Sequence, residues 1–385
     1  MLTFRRGALI ASVVFILFLL FGGPGRLDAS VFRDKEMEQR ILQTERKLEA
    51  ALKDVHRETM DRMLKQEKEL RKMRTEKRIL EKQIQQLRRL PESAGVRQQL
   101  QFQYPYNRKE KFPAYIWQTW THNFDDPEID PSIKDLLETW RQRNAGFVHE
   151  VMNDKLSQLV IQHLYMNVPS VVEAYLAMPE PVLKADFFRY LILLARGGVY
   201  SDADTECLKP VPVWIPEGVK VTDIGIIIGI EADPDRPDWN DWYARRIQFC
   251  QWTIQAKPGH PILRDIVANI TETTLERKKK GTLTLTDTKD RGTNIMDWTG
   301  PGLWTDLIFD YMQTTLLEGE DPITWEKFTG LTQPLNIGDC LVLPITSFSP
   351  GVNTMGAQAE TDPLAYVKHH FAGSWKPENE RIIQP

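Results

Sequence analysis

The chain has 385 residues, of which 42% are hydrophobic and 26% are charged, so it can bury a sizeable core. Its formal net charge of −4 shows no basic excess, which argues against nucleic-acid binding through bulk charge. Three cysteines are too few for a disulfide framework, and none lies at the spacing of a zinc site.

The first segment has a basic start followed by an apolar run. Two arginines precede the apolar residues 8–21, and a Gly-Gly-Pro sequence ends the run. The run is short for a membrane-spanning helix, which usually needs about 17–25 residues, and a cleaved signal peptide has the same features. We predict an uncleaved signal anchor over residues 8–23, with residues 1–7 cytosolic and the remainder lumenal.

Residues 24–111 are predicted to be a stem made of a helix and a linker. Residues 33–90 are rich in charge, contain no Gly or Pro, and carry apolar residues at heptad spacing. One heptad series contains Met63, Leu70 and Ile84, and its partner series contains Met73, Leu80 and Leu87. We predict an imperfect coiled coil, at about 33–90, that pairs with a second copy or a homologue; the alternative is a single solvated helix. Pro91 ends the helix, and residues 91–111 are predicted to be the linker.

Residues 112–385 are predicted to form one large α/β domain, because strand-like and helix-like patterns alternate along them. All 11 tryptophans lie in this part of the chain, as expected of its aromatic core. The strand-like segments are 114–118, 147–152 and 223–230, and the helix-like segments are 133–143, 156–165 and 171–176. In such a sheet, ligands bind at the carboxyl ends of the strands.

The most informative stretch runs from Leu183 to Pro210. An apolar, helix-patterned segment stops at a Gly-Gly pair, and a short strand then delivers two carboxylates, Asp202 and Asp204. Residues two apart on a strand point to the same side, so both carboxylates can face one cation. Oxygen ligands with open positions suit Mg²⁺ or Mn²⁺, which would offset the charge of a leaving diphosphate. The alternative is a solvated turn.

The residues around this stretch carry a longer signature. It consists of Ala185-Asp186, Arg189-Tyr190, Gly197-Gly198-Val199-Tyr200 and Asp202-Ala203-Asp204, preceded by Pro113 and Ile116-Trp117-Gln118-Thr119-Trp120. This signature resembles glycosyltransferase family 32, the D-x-D family that includes fungal Golgi mannosyltransferases. Further stretches resemble one subgroup, the initiation-specific α-1,6-mannosyltransferases: residues 229–233, 242–252, 259–261, 297–302 and 369–375.

The resemblance implies a GT-A fold, which is a Rossmann-like mixed sheet, with GDP-mannose as donor and a divalent cation, usually Mn²⁺. It implies that Asp202 and Asp204 hold the metal. Asp186 and Arg189 lie one helical turn apart and would bind the donor sugar's hydroxyls; the alternative is an ordinary salt bridge between them.

The same resemblance implies that the C-terminal His-His-x-x-Gly-Ser-Trp stretch closes the site. His370 or His369 would be a metal or diphosphate ligand, Ser374 a further polar contact with the donor, and Trp375 a cover over the diphosphate.

Other candidate residues flank the predicted strands. Trp117 or Trp120 stacks on guanine in one interpretation and belongs to the core in the other. Glu231 and Asp233 follow an apolar strand, where either can position the acceptor hydroxyl or bind a nearby loop. Asp297 and Trp298 are predicted to help form the acceptor side.

The resemblance therefore implies a single-pass type II protein of the Golgi membrane that transfers mannose to N-linked glycans with retention of configuration. A mannan-elongating complex, an inositol-containing sphingolipid acceptor and a non-catalytic coiled-coil scaffold are the alternatives. If the domain lies in an oxidising lumen, two of Cys207, Cys250 and Cys340 can form a disulfide and the third would remain a free thiol. The sequon at Asn269 offers a test of topology.

Overall fold

The computed structural model describes residues 35–87, 90–91, 93–234, 236–285, 291–316, 322–352 and 354–371. The chain divides into two units, Met1–Arg89 and Leu90–Pro385, which we describe separately. The predicted signal anchor at 8–23 lies outside the described residues. Within the described ranges, no helix combines the length and the hydropathy that crossing a bilayer requires.

The first unit contains one long helix, α1 (Lys35–Leu87), of 53 residues. At 1.5 Å per residue it is about 80 Å long. Its apolar side chains lie in solvent, with Leu48 62% and Met63 60% exposed. Exposed ion pairs run along it, such as Arg62 to Glu58 at 2.7 Å. The helix is therefore as predicted, and its pairing in a coiled coil stays a prediction.

The second unit is built on a mixed sheet of eight strands, with a separate pair of short strands beside it. The strands are β1 (Tyr115–Thr119), β2 (Val148–Met152), β3 (Gly198–Ser201), β4 (Thr205–Cys207), β5 (Ile226–Ala232), β6 (Gln248–Phe249), β7 (Thr253–Ala256), β8 (Leu335–Ile337), β9 (Cys340–Leu343) and β10 (Val367–His369). The sheet order is β2-β1-β3-β7-β5-β9-β8, with β6 on β5, while β10 pairs with β4.

The strand directions bring the carboxyl ends of five strands, β2, β1, β3, β5 and β9, to one edge. Strand β1 is parallel to β3, and β5 is parallel to β9. Both β3 and β5 are antiparallel to β7, so β3 and β5 run the same way. Residues that follow β1, β3 and β5 therefore meet at this carboxyl edge. The predicted α/β class with a mixed sheet is confirmed.

Helices cover the sheet: α2 (Val96–Gln103), α3 (Pro131–Arg143), α4 (Asp154–Leu164), α5 (Pro169–Ala177), α6 (Pro181–Arg196), α7 (Pro261–Lys280), α8 (Arg291–Trp298), α9 (Pro301–Tyr311) and α10 (Ile345–Phe348). Side chains cap several of them; Asn153, for example, accepts a hydrogen bond from the Leu156 N–H at the start of α4. Helix α6 has ten buried residues, because it is apolar around most of its circumference.

The turn between α6 and β3 needs glycine at both positions. Gly197 and Gly198 have φ values of 64° and 98°. A Cβ atom on Gly198 would lie 2.6 Å from the Tyr115 carbonyl oxygen. Two glycines thus let β3 approach β1 closely and begin directly behind the buried helix.

The structure differs from the predicted linker at residues 91–111. Helix α2 forms within this segment, and its Leu100 is fully buried in the main core. The Gln103 side chain donates to the Leu164 carbonyl, and the Tyr106 hydroxyl donates to Asp339. The segment is therefore a packed part of the second unit, because its apolar and aromatic residues find partners there. The three cysteines are buried free thiols.

Candidate active site

Asp202, Asp204 and His369 converge at the carboxyl edge of the sheet. Asp202 directly follows β3, and Asp204 precedes β4. Pairing of β10 with β4 sets His369 opposite Thr205, next to Asp204. One ligand atom from each of the three side chains lies within 4.8 Å of the other two. Two carboxylates and an imidazole at this separation can bind one divalent cation.

Burial favours the uncharged form of the His369 imidazole, which is the form that binds a metal. Burial lowers its pKa, although Asp204 and Asp202 oppose that shift. Its Nε2 lies 3.4 Å from Asp204 Oδ1, and its ring packs 4.5 Å from that of Trp252. A neutral imidazole offers a nitrogen lone pair to a metal.

His370, the other predicted ligand, has different partners. Its Nε2 lies 3.3 Å from Glu206 Oε2, and its backbone N–H donates to the Asp204 carbonyl at 2.9 Å. Adjacent residues on an extended strand point to opposite sides, so only one of the two histidines can face the carboxylate pair. The structure places His369 there in place of His370.

A buried arginine orients Asp202. Arg189 is 4% exposed at its side chain, and Nη2 donates to Asp202 Oδ1 at 3.0 Å. Its Nη1 lies 2.8 Å from Asp186 Oδ1, and its guanidinium lies over the Tyr200 ring at 5.1 Å. Asp186 and Arg189 therefore form the i,i+3 salt bridge that was the alternative to donor binding, and this bridge extends to the D-x-D motif.

Asp186 is held from other elements as well. Thr299 donates to its Oδ2 at 2.8 Å, and Gln251 donates to its Oδ1 at 3.3 Å. Burial is the main cause that raises the pKa of Asp186, to about 6, against the opposing charge of Arg189. Burial likewise raises the pKa of Asp202, and the charge of Asp204 adds to the shift. Negative charge is thus costly here without a cation nearby.

Strand β1 supplies two positioning residues, Gln118 and Thr119, that belong to the signature but had no role predicted from the sequence. Gln118 is fully buried; it donates to the Asp202 carbonyl at 3.1 Å, and its Oε1 lies 2.6 Å from Nε2 of His149. The Thr119 hydroxyl lies 3.2 Å from that of Tyr200, which donates to Asp202 Oδ1 at 2.9 Å. The sequence feature that could have indicated this role is a glutamine and a threonine at the end of an apolar strand. A buried polar side chain needs a hydrogen-bond partner, and the partner here is Asp202 or a neighbour of it.

Trp117 lies in the core. It is 7% exposed, stacks on Tyr115 at 5.0 Å, and donates from Nε1 to the Gly197 carbonyl. Gly197 precedes β3, whereas the D-x-D motif follows that strand, so Trp117 is not at the carboxyl edge. Trp120 packs on a separate small cluster that includes Ala203.

Glu231 and Asp233 have different surroundings. Glu231 accepts from Gln248 at 3.0 Å, and burial raises its pKa to about 7. The charges of Arg189 and Asp202 also act on Glu231, so it lies within electrostatic range of the metal-ligand candidates. Asp233 instead binds Arg246 at 3.2 Å and the Gly330 N–H at 2.7 Å. For Asp233 the structure shows the loop contact that was the alternative.

The two predicted acceptor-side residues, Asp297 and Trp298, lie in different surroundings. Asp297 lies 3.2 Å from Arg245 on the surface, whereas Trp298 is buried and donates to Thr274 at 3.0 Å. The neighbouring Thr299 contacts Asp186, as described above. Ser374 and Trp375 lie outside the described residues.

Residues 130–220, which include the D-x-D motif, match the family described as "Glycosyltransferase sugar-binding region containing DXD motif". The "Initiation-specific alpha-1,6-mannosyltransferase" of Candida albicans is 51% identical over 302 residues, covering 75% of this chain and 78% of that protein. The chain belongs to this glycosyltransferase family. The predicted enzyme class and its likeness to fungal mannosyltransferases are confirmed.

Two further relatives cover most of this glycosyltransferase. The protein of the same name in Schizosaccharomyces pombe is 46% identical over 280 residues, covering 72% of this chain and 67% of that protein. The "Putative glycosyltransferase HOC1" of Saccharomyces cerevisiae is 42% identical over 315 residues, with coverages of 81% and 77%. Enzymes of this D-x-D family generally use a nucleotide sugar and a divalent cation, and Asp202, Asp204 and His369 fit that requirement.

Proposed function

We propose that this glycosyltransferase has a GT-A fold and transfers mannose from GDP-mannose to an N-linked glycan. The bond formed is α-1,6, and the configuration of the donor is retained. The observation that carries the proposal is the convergence of Asp202, Asp204 and His369 within 4.8 Å at the carboxyl edge of the sheet. The names of the relatives at 51% and 46% identity support the choice of sugar and linkage.

The cation, which we propose is Mn²⁺, would be held by Asp202, Asp204 and His369. When bound, it supplies Lewis acidity that neutralises the charge of the leaving diphosphate. Arg189 and Tyr200 both donate to Oδ1 of Asp202, and so fix the orientation of this carboxylate before the donor arrives. Such preorganisation avoids rearrangement during the reaction.

The donor sugar is proposed to lie against Asp186 and Arg189. Among the described residues, the buried Nε of Arg189 has no hydrogen-bond acceptor. A buried N–H without a partner is costly. A donor hydroxyl would satisfy it, provided that donor binding displaces the side chains that now cover it. Ser374 and Trp375 remain candidates for closing the donor site.

Glu231 is proposed to hold the acceptor hydroxyl. With a pKa of about 7, its carboxyl group is present in both protonation states near neutral pH. A group of this kind can accept a hydrogen bond from the attacking hydroxyl and later take its proton. The carbon that reacts, on the donor sugar, would lie between Glu231 and the metal ligands.

The signal anchor at 8–23 is proposed to place the catalytic unit in the Golgi lumen, as a single-pass type II protein. The basic start and apolar run support this topology. The Asn269 sequon is a poor reporter, because Asn269 is partly buried on α7 and Thr271 is fully buried. Protease protection of the catalytic unit in sealed Golgi vesicles is the better test; digestion without detergent would contradict the topology.

Helix α1 is proposed to form a parallel coiled coil with a second copy of this chain. Over residues 62–80 the a and d positions are Met63, Gln66, Leu70, Met73, Lys77 and Leu80. In a parallel pair, each g residue meets the following e residue of the other copy. By this rule Arg62 would face Glu67 and Glu69 would face Arg74, which are pairs of opposite charge, whereas the next pair, Glu76 and Glu81, has like charges. The first two pairs support a second copy over a single solvated helix.

The catalytic proposal is tested with the purified full chain, GDP-mannose and Mn²⁺. A core-type N-glycan, a mannan oligomer and an inositol-containing sphingolipid serve as competing acceptors. We expect transfer to the N-glycan, with an α-1,6 linkage identified by NMR, and loss of transfer when the metal is chelated.

Asp204→Asn is the matched variant. We expect it to lower transfer by about 100-fold or more, because it removes a metal ligand. Asp223→Asn, an exposed aspartate away from the site, is the control and should retain full activity. Near-normal transfer by Asp204→Asn would contradict the metal assignment, and preference for mannan or sphingolipid would change the acceptor.

A further inference from the structure

Two tryptophans are exposed among the described residues of the catalytic unit, although the others are buried or partly buried. Trp242 is 64% exposed and Trp325 is 40% exposed. Each indole presents a large apolar surface with a polar N–H, a combination that is enriched at binding interfaces.

Both tryptophans lie next to the carboxylates at the end of β5. Gln248 joins Glu231 to the Ala244 N–H, at 3.0 Å on each side, and Ala244 is two residues after Trp242. The charge of Glu231 also acts on the neighbouring Tyr243, whose pKa is raised mainly by burial. Trp242 therefore stands on the loop directly beside the proposed acceptor-binding carboxylate.

Trp325 is connected to the same edge through Asp233. Arg246 lies over the Trp325 ring at 4.7 Å and binds Asp233 at 3.2 Å. Asp233 also accepts from Thr329 and from the Gly330 N–H, just after the turn that carries Trp325. Through these contacts Asp233 positions the exposed indole of Trp325 near the carboxyl end of β5.

Each indole has an arginine over its ring, and each of these arginines is paired with an aspartate. Arg236 lies over the Trp242 ring at 5.4 Å, and its guanidinium is bound by both oxygens of Asp238. Arg246 and Asp233 do the same for Trp325. An aromatic ring that is ordered before binding loses little entropy on meeting a ligand, so the arrangement favours a binding surface.

We propose that Trp242 and Trp325 bind the acceptor oligosaccharide on the side of Glu231 away from the donor. A hexopyranose has faces of C–H groups that stack on an aromatic ring, while its hydroxyls bind the arginine and carboxylate groups around it. Two such platforms select a chain of several hexoses over a single sugar. This inference rests on the proposed function and extends it to the class of acceptor.

A membrane surface is the other ligand that exposed tryptophans can bind. Each arginine near Trp242 is already paired with an aspartate, Arg236 with Asp238, Arg245 with Asp306 and Arg246 with Asp233, so this loop offers little positive charge to anionic lipid head groups. The charges therefore favour the oligosaccharide, and vesicle binding becomes an outcome of the test.

The test uses the full chain with Trp242→Ala and Trp325→Ala, and with Met166→Ala as a control. Met166 is 61% exposed, and it lies between α4 and α5. Transfer from GDP-mannose is measured with a mannose-rich N-glycan and with a single methyl mannoside. We expect each tryptophan variant to raise KM for the N-glycan by about tenfold, with KM for GDP-mannose unchanged.

The same variants should change KM for the methyl mannoside by less than about twofold, like the control. Trp242→Phe should recover part of the loss, because it restores an aromatic face. Equal losses with both acceptors, or unchanged KM for the N-glycan, would overturn the inference. So would a loss of binding to phosphatidylcholine–phosphatidylserine vesicles with an unchanged KM.

Failure of the proposed function gives a different result. In that case the wild-type chain itself transfers no mannose from GDP-mannose. Binding of the N-glycan, followed by indole fluorescence without any donor, then still tests the tryptophans. Weaker binding by the alanine variants supports the inference, and unchanged binding overturns it.

Discussion

Replacing Arg189 with methionine removes the one cation that the structure places between Asp186 and Asp202. Arg189 is 4% exposed at its side chain, and its nitrogens lie 2.8 Å and 3.0 Å from the two carboxylates. Methionine keeps much of the side-chain volume but carries no charge. The variant therefore leaves two buried carboxylates without compensation.

We expect Arg189→Met to lower the free energy of unfolding by about 3–5 kcal/mol, the usual cost of removing one partner from a buried ion pair. The loss relative to the wild type should grow as pH rises above about 6, where Asp186 ionises in the folded wild-type chain but not in the variant. Asp186 already has a raised pKa of about 6 in the folded state, and the lost cation raises it further. Folding then requires proton uptake, which becomes harder at higher pH.

The measurement is urea unfolding of the full chain in detergent, followed by tryptophan fluorescence at pH 6 and pH 8. Asp186→Asn/Arg189→Met should lose less stability than Arg189→Met alone, because an amide removes one buried charge. Arg245→Met is the matched control; Arg245 also contacts two aspartates, Asp297 and Asp306, but at the surface. Its loss should be about 0–1 kcal/mol. A loss of that size for Arg189→Met would refute the reasoning.

Two further predictions concern the sheet and the stem. Tyr106 and Tyr311 donate to Asp339 at 2.6 and 3.0 Å; these bonds and His260 outweigh burial and lower its pKa to about 2. This stabilisation is present above the unfolded pKa of aspartate and is lost as pH falls toward 2. Asp339→Asn should therefore lower the free energy of unfolding, measured in urea, by about 2–3 kcal/mol at pH 7 and by little near pH 2. An equal decrease at the two pH values would contradict this prediction. In α1, Glu69→Arg should reduce the dimer fraction seen by chemical cross-linking, and adding Arg74→Glu should restore it; an unchanged fraction would argue against parallel pairing.

The elements predicted correctly from the sequence depend on local chemistry. A glycine pair after an apolar helix predicts the turn into β3, because few other residues adopt positive φ there. The alternation of strand and helix patterns predicts a mixed α/β sheet, and the two aspartates after β3 fall at its carboxyl edge. Predicting these features requires only the residues that are close to each position in the sequence.

The features that the sequence left open depend on contacts between distant segments. Whether His369 or His370 faces Asp204 is fixed by the register of β10 on β4, and a slip of one residue would exchange them. Trp117 and Gln118 point to opposite faces of β1, but only the packed sheet shows which face meets Asp202. The sequence alone does not distinguish Asp233 from Glu231 as an acceptor-binding carboxylate. The hydrogen bond from the distant Gly330 N–H to Asp233 does.

The two oxygens of Asp202 explain why the buried arginine and a metal can share one carboxylate. Arg189 and Tyr200 both donate to Oδ1, at 3.0 Å and 2.9 Å, which leaves Oδ2 as the oxygen to turn toward a cation. The arginine thereby links helix α6 to the D-x-D motif, and a cation on the other oxygen would offset the charge that burial makes costly. The same contacts should therefore control both folding of the core and affinity for the metal, so variants of Arg189 are expected to lose the two together.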